Sequence, residues 1–264
     1  MGPPYQARAS RTADAPFSHR SVGRYNPQMP IPPLPAPRRH GAAGSFTDRL
    51  LARGRVAFPL SELRAATGLS AIAARNQLLR LRGKVVRVSP KQPFFLVVGP
   101  EHRALGAPPP AWWLHDYFEW LGHPYYVALQ SAAALHGAQP QAVQALQVMT
   151  DAPRRELALG RMRIRFFVKR DISRTPTQLL PQARAPLLLG TPEATALDLV
   201  LYADRIGGLG RAIETMAPLL PALRRERLKP ALRAAKAGAI ERLAAAVAQA
   251  GDRRLAAAVR ALAR

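Results

Sequence analysis

Between Ser45 and Gly99 three short helical segments, each closed by a glycine, precede two strand-like runs, and that order leaves few folds open. SFTDRLLARG predicts a helix with Phe46, Leu50 and Leu51 on one face and Gly54 as its stop. VAFP is a short apolar piece, and Leu60 to Ala66 predicts a second helix ended by the Thr67-Gly68 pair. Ser70 then sits where its hydroxyl accepts a first-turn N–H and caps a third helix, which runs to about Arg82 and ends at Gly83. VVRVS and FFLVV follow as two strands joined by a turn at Pro90 to Pro93. Helix, short strand, helix, turn, helix and a two-stranded wing is the order of a winged helix-turn-helix.

A helical wheel over residues 70–84 puts Ala71, Ile72, Leu78, Leu79 and Leu81 on one broad arc, expected to pack inward. Ser70, Ala73, Asn76, Gln77, Arg80 and Lys84 fall on the opposite arc. That set has the chemistry for reading base edges. Arginine pairs two donors with guanine, Asn and Gln pair with adenine, and a small alanine meets a thymine methyl. Ser70 and the N–H groups beside it suit a phosphate. Arg75 and Arg82 lie at the rim and reach toward phosphates. Arg87 on the wing and Lys91 at its tip suit the backbone or the minor groove. The expected partner is double-stranded DNA. The same module also serves elsewhere as a protein-docking adaptor, which is the alternative.

Charge favours the polyanion. Net charge is +23. Residues 1–44 carry six Lys/Arg against one acid, residues 45–99 ten against two, residues 100–220 twelve against ten, and residues 221–264 eleven against three. A near-neutral centre between basic flanks fits a polyanionic partner better than uniform tuning for solubility.

The remaining chain reads as a basic Pro-rich arm over 1–44, a Pro/Gly linker at 99–111, a mixed α+β domain over 111–220 and a helical basic tail over 221–264. The arm has no periodicity and is expected to be disordered, with Met29 an alternative start inside it. It lacks the apolar stretch of a secretory signal, and no window offers about 18 consecutive apolar residues. Together with the absence of cysteine this fits a cytoplasmic protein. In the α+β domain, AWWLHDYFEWL and YYVALQSAAALHG predict helices, VQALQVMTD, ELALG, RMRIRFFVKR and APLLLGT predict strands, and PEATALDLVLYADRIGG predicts a helix. Thr191 is its N-cap, with Pro192 at the first helical position and Glu193 in the first turn. His136 before Gly137 reads as a helix C-terminal residue. In the tail, Leu255, Val259 and Leu262 form an apolar stripe on a helix that caps the α+β domain or dimerises.

RMRIRFFVKR alternates Arg161, Arg163 and Arg165 with Met162, Ile164 and Phe166, so period 2 puts the arginines on one face. With Lys169 and Arg170 they form a candidate second phosphate-tracking surface, since residues 154–174 carry eight Lys/Arg against two acids.

Catalytic patterns are weak. Gly44-Ser45 is followed by Asp48 alone, where a nucleotidyltransferase needs paired aspartates. GGLG at 207–210 is no dinucleotide loop, and the six histidines show no zinc spacing. No cofactor, metal or catalytic residue is expected. The surviving enzyme alternative is a metal-dependent nuclease using Asp151, Glu156 or Asp171 near Lys169.

YVALQSAAALHG at 126–137, RMRIRFFVKR at 161–170 and LLLGTPEATALDLV at 187–200, in that order behind a winged helix, resemble the AbiEi family of antitoxins and transcriptional regulators of bacterial type IV toxin–antitoxin systems. The resemblance covers roughly residues 45–220. It implies an α+β protein with a DNA-binding winged helix and a C-terminal antitoxin domain. It further implies repression of its own operon through inverted repeats in the promoter, and action against a nucleotidyltransferase-like toxin without a stable complex.

Overall fold

The computed structural model describes residues 41–138, 144–180, 185–233 and 235–262, all within one compact unit. The basic arm lies outside the described residues up to residue 40. The first helix starts at Ala42, inside the segment read as arm: α1 (Ala42–Ala52) buries Ala42, Ala43, Phe46, Thr47 and Leu50. Next come β1 (Ala57–Pro59), α2 (Leu60–Thr67), α3 (Ala71–Arg80), β2 (Val85–Ser89) and β3 (Gln92–Val97). These strands form an antiparallel sheet in the order β1-β3-β2. VAFP is therefore a strand, with Phe58 opposite Phe95. Gly68 ends α2 at φ +67°, a left-handed conformation that glycine adopts without a Cβ clash.

The second half builds α4 (Leu114–Leu121), β4 (Tyr125–Val127), α5 (Leu129–Leu135), β5 (Leu146–Thr150), β6 (Leu157–Leu159), β7 (Met162–Val168), β8 (Thr177–Leu179), β9 (Leu188–Gly190) and α6 (Pro192–Leu201). The helices α7 (Gly208–Met216), α8 (Arg225–Leu232), α9 (Ala237–Gln249) and α10 (Arg253–Ala261) complete it. The fold is mixed α+β. Its larger sheet runs β6-β7-β5-β4-β9-β8, with β5/β7 and β4/β9 parallel and the other pairs antiparallel.

One expected helix is different. The first residues of YYVALQSAAALHG form β4 in the middle of the sheet, and only Leu129–Leu135 is helical. Tyr125 and Tyr126 show why: period 2 sends them to opposite faces. Tyr126, Met149 and Phe167 join a core with α5 to α10, whereas Tyr125, Val127, Val148 and Ile164 join one with α4 and the first sheet. The chain turns from β4 into α5 at Leu129, whose φ of +55° is strained for a branched side chain.

The tail closes the first of these cores. Leu228, Leu232, Ile240, Leu243, Val247, Ala256 and Val259 pack in the same cluster as Tyr126 and Phe167. Leu262, expected on the inner stripe, is 37% exposed. At the centre lies α6, with every residue from Pro192 to Val200 buried. A helix apolar on one side only would not need this. Being wrapped all round, α6 must find partners for its buried polar groups.

The segment at 99–111 is packed. Arg161 N donates to Leu105 O at 3.0 Å, and a Cβ on Gly160 would stand 2.1 Å from that same oxygen. Trp113 is fully buried and its Nε1 donates to Pro108 O at 3.1 Å. Phe94 of β3 contacts Tyr117 and Trp120 of α4, with ring centroids 5.3 Å and 5.2 Å apart, and the Tyr117 hydroxyl donates to Gln92 Oε1. The small sheet and the large one thus share a core through α4.

Candidate nucleic-acid interface

Helix α3 starts where the sequence predicts, with the Ser70 hydroxyl accepting from Ala73 N at 3.2 Å. Its rotation differs from the wheel. The inward residues are Ala74 and Leu78, at 0% and 6% exposure, packed with Phe46, Leu63 and Phe58. Ile72 and Leu79, expected inside, are 72% and 57% exposed. The wheel weighs large aliphatic side chains, but the small Ala74, fully buried beside Leu78, marks the face that turns inward.

Of the candidate DNA contacts, Ser70, Arg75, Asn76, Arg80, Arg82, Lys84, Arg87 and Lys91 are exposed, while Ala73 is half-buried. Gln77 is half-buried too, and its Oε1 accepts from Ala43 N at 2.9 Å. That bond satisfies a first-turn donor of α1 and ties α1 to α3, so Gln77 has a structural task. Arg87 Nε donates to Gln92 O at 2.9 Å across the wing, and its guanidinium lies 6.0 Å from the Phe95 ring centroid. Between α3 and the wing is a hollow of about 290 Å³ lined by Leu78, Leu79, Val85, Pro93 and Phe95, with Arg75, Arg82 and Arg87 around it.

The surface has one sign. Residues 69–98 contain six Lys/Arg and no Asp or Glu, and all six are exposed. The acid before this stretch, Glu62, is held by Arg55 at 2.7 Å.

The second basic surface is smaller than expected. Arg161, Arg163, Arg165 and Arg170 are exposed. Lys169 is not part of that face. Its Nζ donates to Asp198 Oδ1 at 2.7 Å and to the Tyr126 hydroxyl at 3.1 Å, and that hydroxyl donates to Asp198 Oδ2 at 2.7 Å. Asp198 is 0% exposed, and burial raises its carboxyl above the usual carboxylate value against the pull of Lys169. Burial, reinforced by Asp198, pushes Tyr126 well above the ordinary phenol value. Sequence reasoning missed this trio. The only signal was an aspartate inside the apolar run ALDLV.

Around α6 the cap reads as expected: Thr191 accepts from Ala194 N at 3.3 Å with Pro192 next. Glu193, fully buried, also accepts from Arg224 N at 2.7 Å and so anchors the chain entering α8. His136 caps the C-terminus of α5, its Nε2 lying 2.8 Å from Gly190 O. The residues of the nuclease alternative are engaged apart from one another. Asp151 faces His123 at 2.9 Å, Glu156 lies 3.9 Å from Arg165, and Asp171 begins a short 3-10 turn. Among the described residues no three His, Asp or Glu converge on a metal-sized site, and no helix is long and apolar enough to cross a membrane.

None of the curated proteins matches the chain. Among solved structures, the crystal structure of the RV2827C protein from Mycobacterium tuberculosis is similar in fold, with a TM-score of 0.60 and 18% identity over 85% of this chain and 82% of that one. Residues 125–248, from β4 to α9, match the family described as the AbiEi antitoxin C-terminal domain, so the chain carries a domain of the AbiEi antitoxin family.

Proposed function

We propose that residues 45–99 are a winged helix-turn-helix that binds duplex DNA, and that the chain is a transcriptional regulator and antitoxin of a type IV toxin–antitoxin system. In this reading α3 enters the major groove and the β2–β3 wing lies along the backbone. The observation that carries it is the acid-free cationic surface of residues 69–98. A protein-docking surface has no need of six exposed cations without one compensating acid. The chain binds inverted repeats in its own promoter and represses that operon. Its AbiEi-type domain counters a nucleotidyltransferase-like toxin. Arg161, Arg163, Arg165 and Arg170 serve as a second strip for phosphates, without Lys169.

Arg80→Ala tests the assignment of α3. It removes one bidentate contact to a base and lowers discrimination between cognate and scrambled duplex by about 1–3 kcal/mol, roughly 5- to 150-fold. The exposed side chain leaves folding intact. In cells the variant loses repression and still protects against a co-expressed toxin, because the antitoxin domain is untouched. An unchanged footprint on the promoter would remove α3 from the interface.

A further inference from the structure

We infer that Ile72 and Leu79 form an aliphatic ridge that reads thymine 5-methyl groups in the major groove, which makes them specificity-determining residues. The inference rests on the DNA-binding reading and extends it to two residues that sequence patterning places inside the protein. They are 72% and 57% exposed, far above Ala74 and Leu78 on the same helix. Seven residues are about 20° short of two full turns, so the two side chains lie nearly in line. Asn76 marks the middle of the face opposite Ala74 and Leu78; the ridge runs beside it on the side toward the wing, where Leu79 also borders the hollow, with Arg75 on one side and Asn76 and Arg80 on the other. Lone exposed aliphatics are ordinary on a protein surface. Two in line, on a strip where the neighbouring exposed groups are cationic or amide, are a pattern.

The occupant follows from the charge around the ridge. Arg75, Arg80, Arg82, Lys84, Arg87 and Lys91 are exposed about it with no acid in the stretch, so whatever covers it is anionic at its edges. It must also offer apolar spots to an aliphatic line. Duplex DNA supplies both, because the thymine methyl is the apolar group of the major groove. At 1.5 Å per residue, Ile72 and Leu79 stand about 10 Å apart along α3, or roughly three steps of 3.4 Å along a strand. The preferred site therefore carries thymines about three positions apart, flanking bases that Asn76 and Arg80 contact.

The test uses the full chain and a duplex that it enriches from a random-sequence pool. That duplex is then made with thymine or with deoxyuridine, which pairs identically and lacks the methyl. Each buried methyl contributes about fourfold in affinity, so the deoxyuridine duplex binds roughly 15-fold more weakly. In the Ile72→Ala/Leu79→Ala variant the difference between the two duplexes disappears, while its thermal unfolding stays unchanged because neither side chain is in the core. Equal affinity of the wild-type chain for both duplexes overturns the ridge and leaves DNA binding standing. Self-association that the double variant abolishes, with no thymine preference, makes the ridge a contact between copies and overturns it too. Failure of the chain to enrich or bind any duplex overturns the DNA-binding reading itself, and the ridge with it.

Discussion

Lys169→Met lowers folding stability by about 3–5 kcal/mol at neutral pH, measured by chemical denaturation of the full chain. The Lys169 side chain is only 16% exposed, and its partner Asp198 has no contact with water. Removing the ammonium leaves a carboxylate inside α6 with one donor, the Tyr126 hydroxyl, and no compensating charge. Burial already raises the Asp198 carboxyl, and loss of Lys169 raises it further. A folded-state value above the unfolded one favours folding at low pH and is penalised as pH rises through it. The deficit of Lys169→Met therefore shrinks when the denaturation is repeated at pH 5. Asp198→Asn in the Lys169→Met background restores most of the loss, because an amide oxygen still accepts from Tyr126 without a charge. A deficit independent of pH, or no rescue by Asp198→Asn, would mean that the pair does not act as described.

The same trio shows where sequence reading stops. Thr191, Pro192 and Glu193 are legible as a helix start because capping is local chemistry between residues three apart. The cap at Ser70 is legible for the same reason, as is the alternation along β7. The partnership of Lys169 with Asp198 spans 29 residues and exists only because α6 is wrapped on all sides. The phase of α3 is not legible because Ala74, a residue with little weight in any hydrophobic pattern, is fully buried while Ile72 and Leu79 are exposed. β4 is not legible as a strand because three residues are too few to separate a period of 2 from one of 3.6. β8 reads Thr-Gln-Leu and has no apolar pattern, since its place at the sheet edge needs none. Two of the candidate DNA contacts changed role for a comparable reason. Gln77 and Lys169 are polar groups whose partners lie far along the chain, on α1 and α6.

The second large effect is on binding. If Arg75, Arg82, Lys84, Arg87 and Lys91 each neutralise a phosphate while Arg80 reads a base, log affinity for duplex falls linearly with log salt at a slope of about −4.5. Between 50 and 200 mM salt that is about a 500-fold loss. Replacing Arg82 and Arg87 by glutamine flattens the slope by roughly 2, since each contact contributes about 0.9. These two lie at the hollow beside the wing, so the change reports the wing's place on the backbone. A protein partner on the same surface would show a much shallower dependence, because it has no condensed counterions to release.

The basic tail offers the sharpest contrast, since Arg225, Arg227, Lys229, Arg253 and Arg254 are exposed there as well. Ultraviolet crosslinking of the full chain to its enriched duplex, followed by peptide mapping, distinguishes the two surfaces. The account predicts crosslinked peptides from residues 70–91, on α3 and the wing. Crosslinks confined to residues 221–262, with α3 and the wing unmodified, would contradict it.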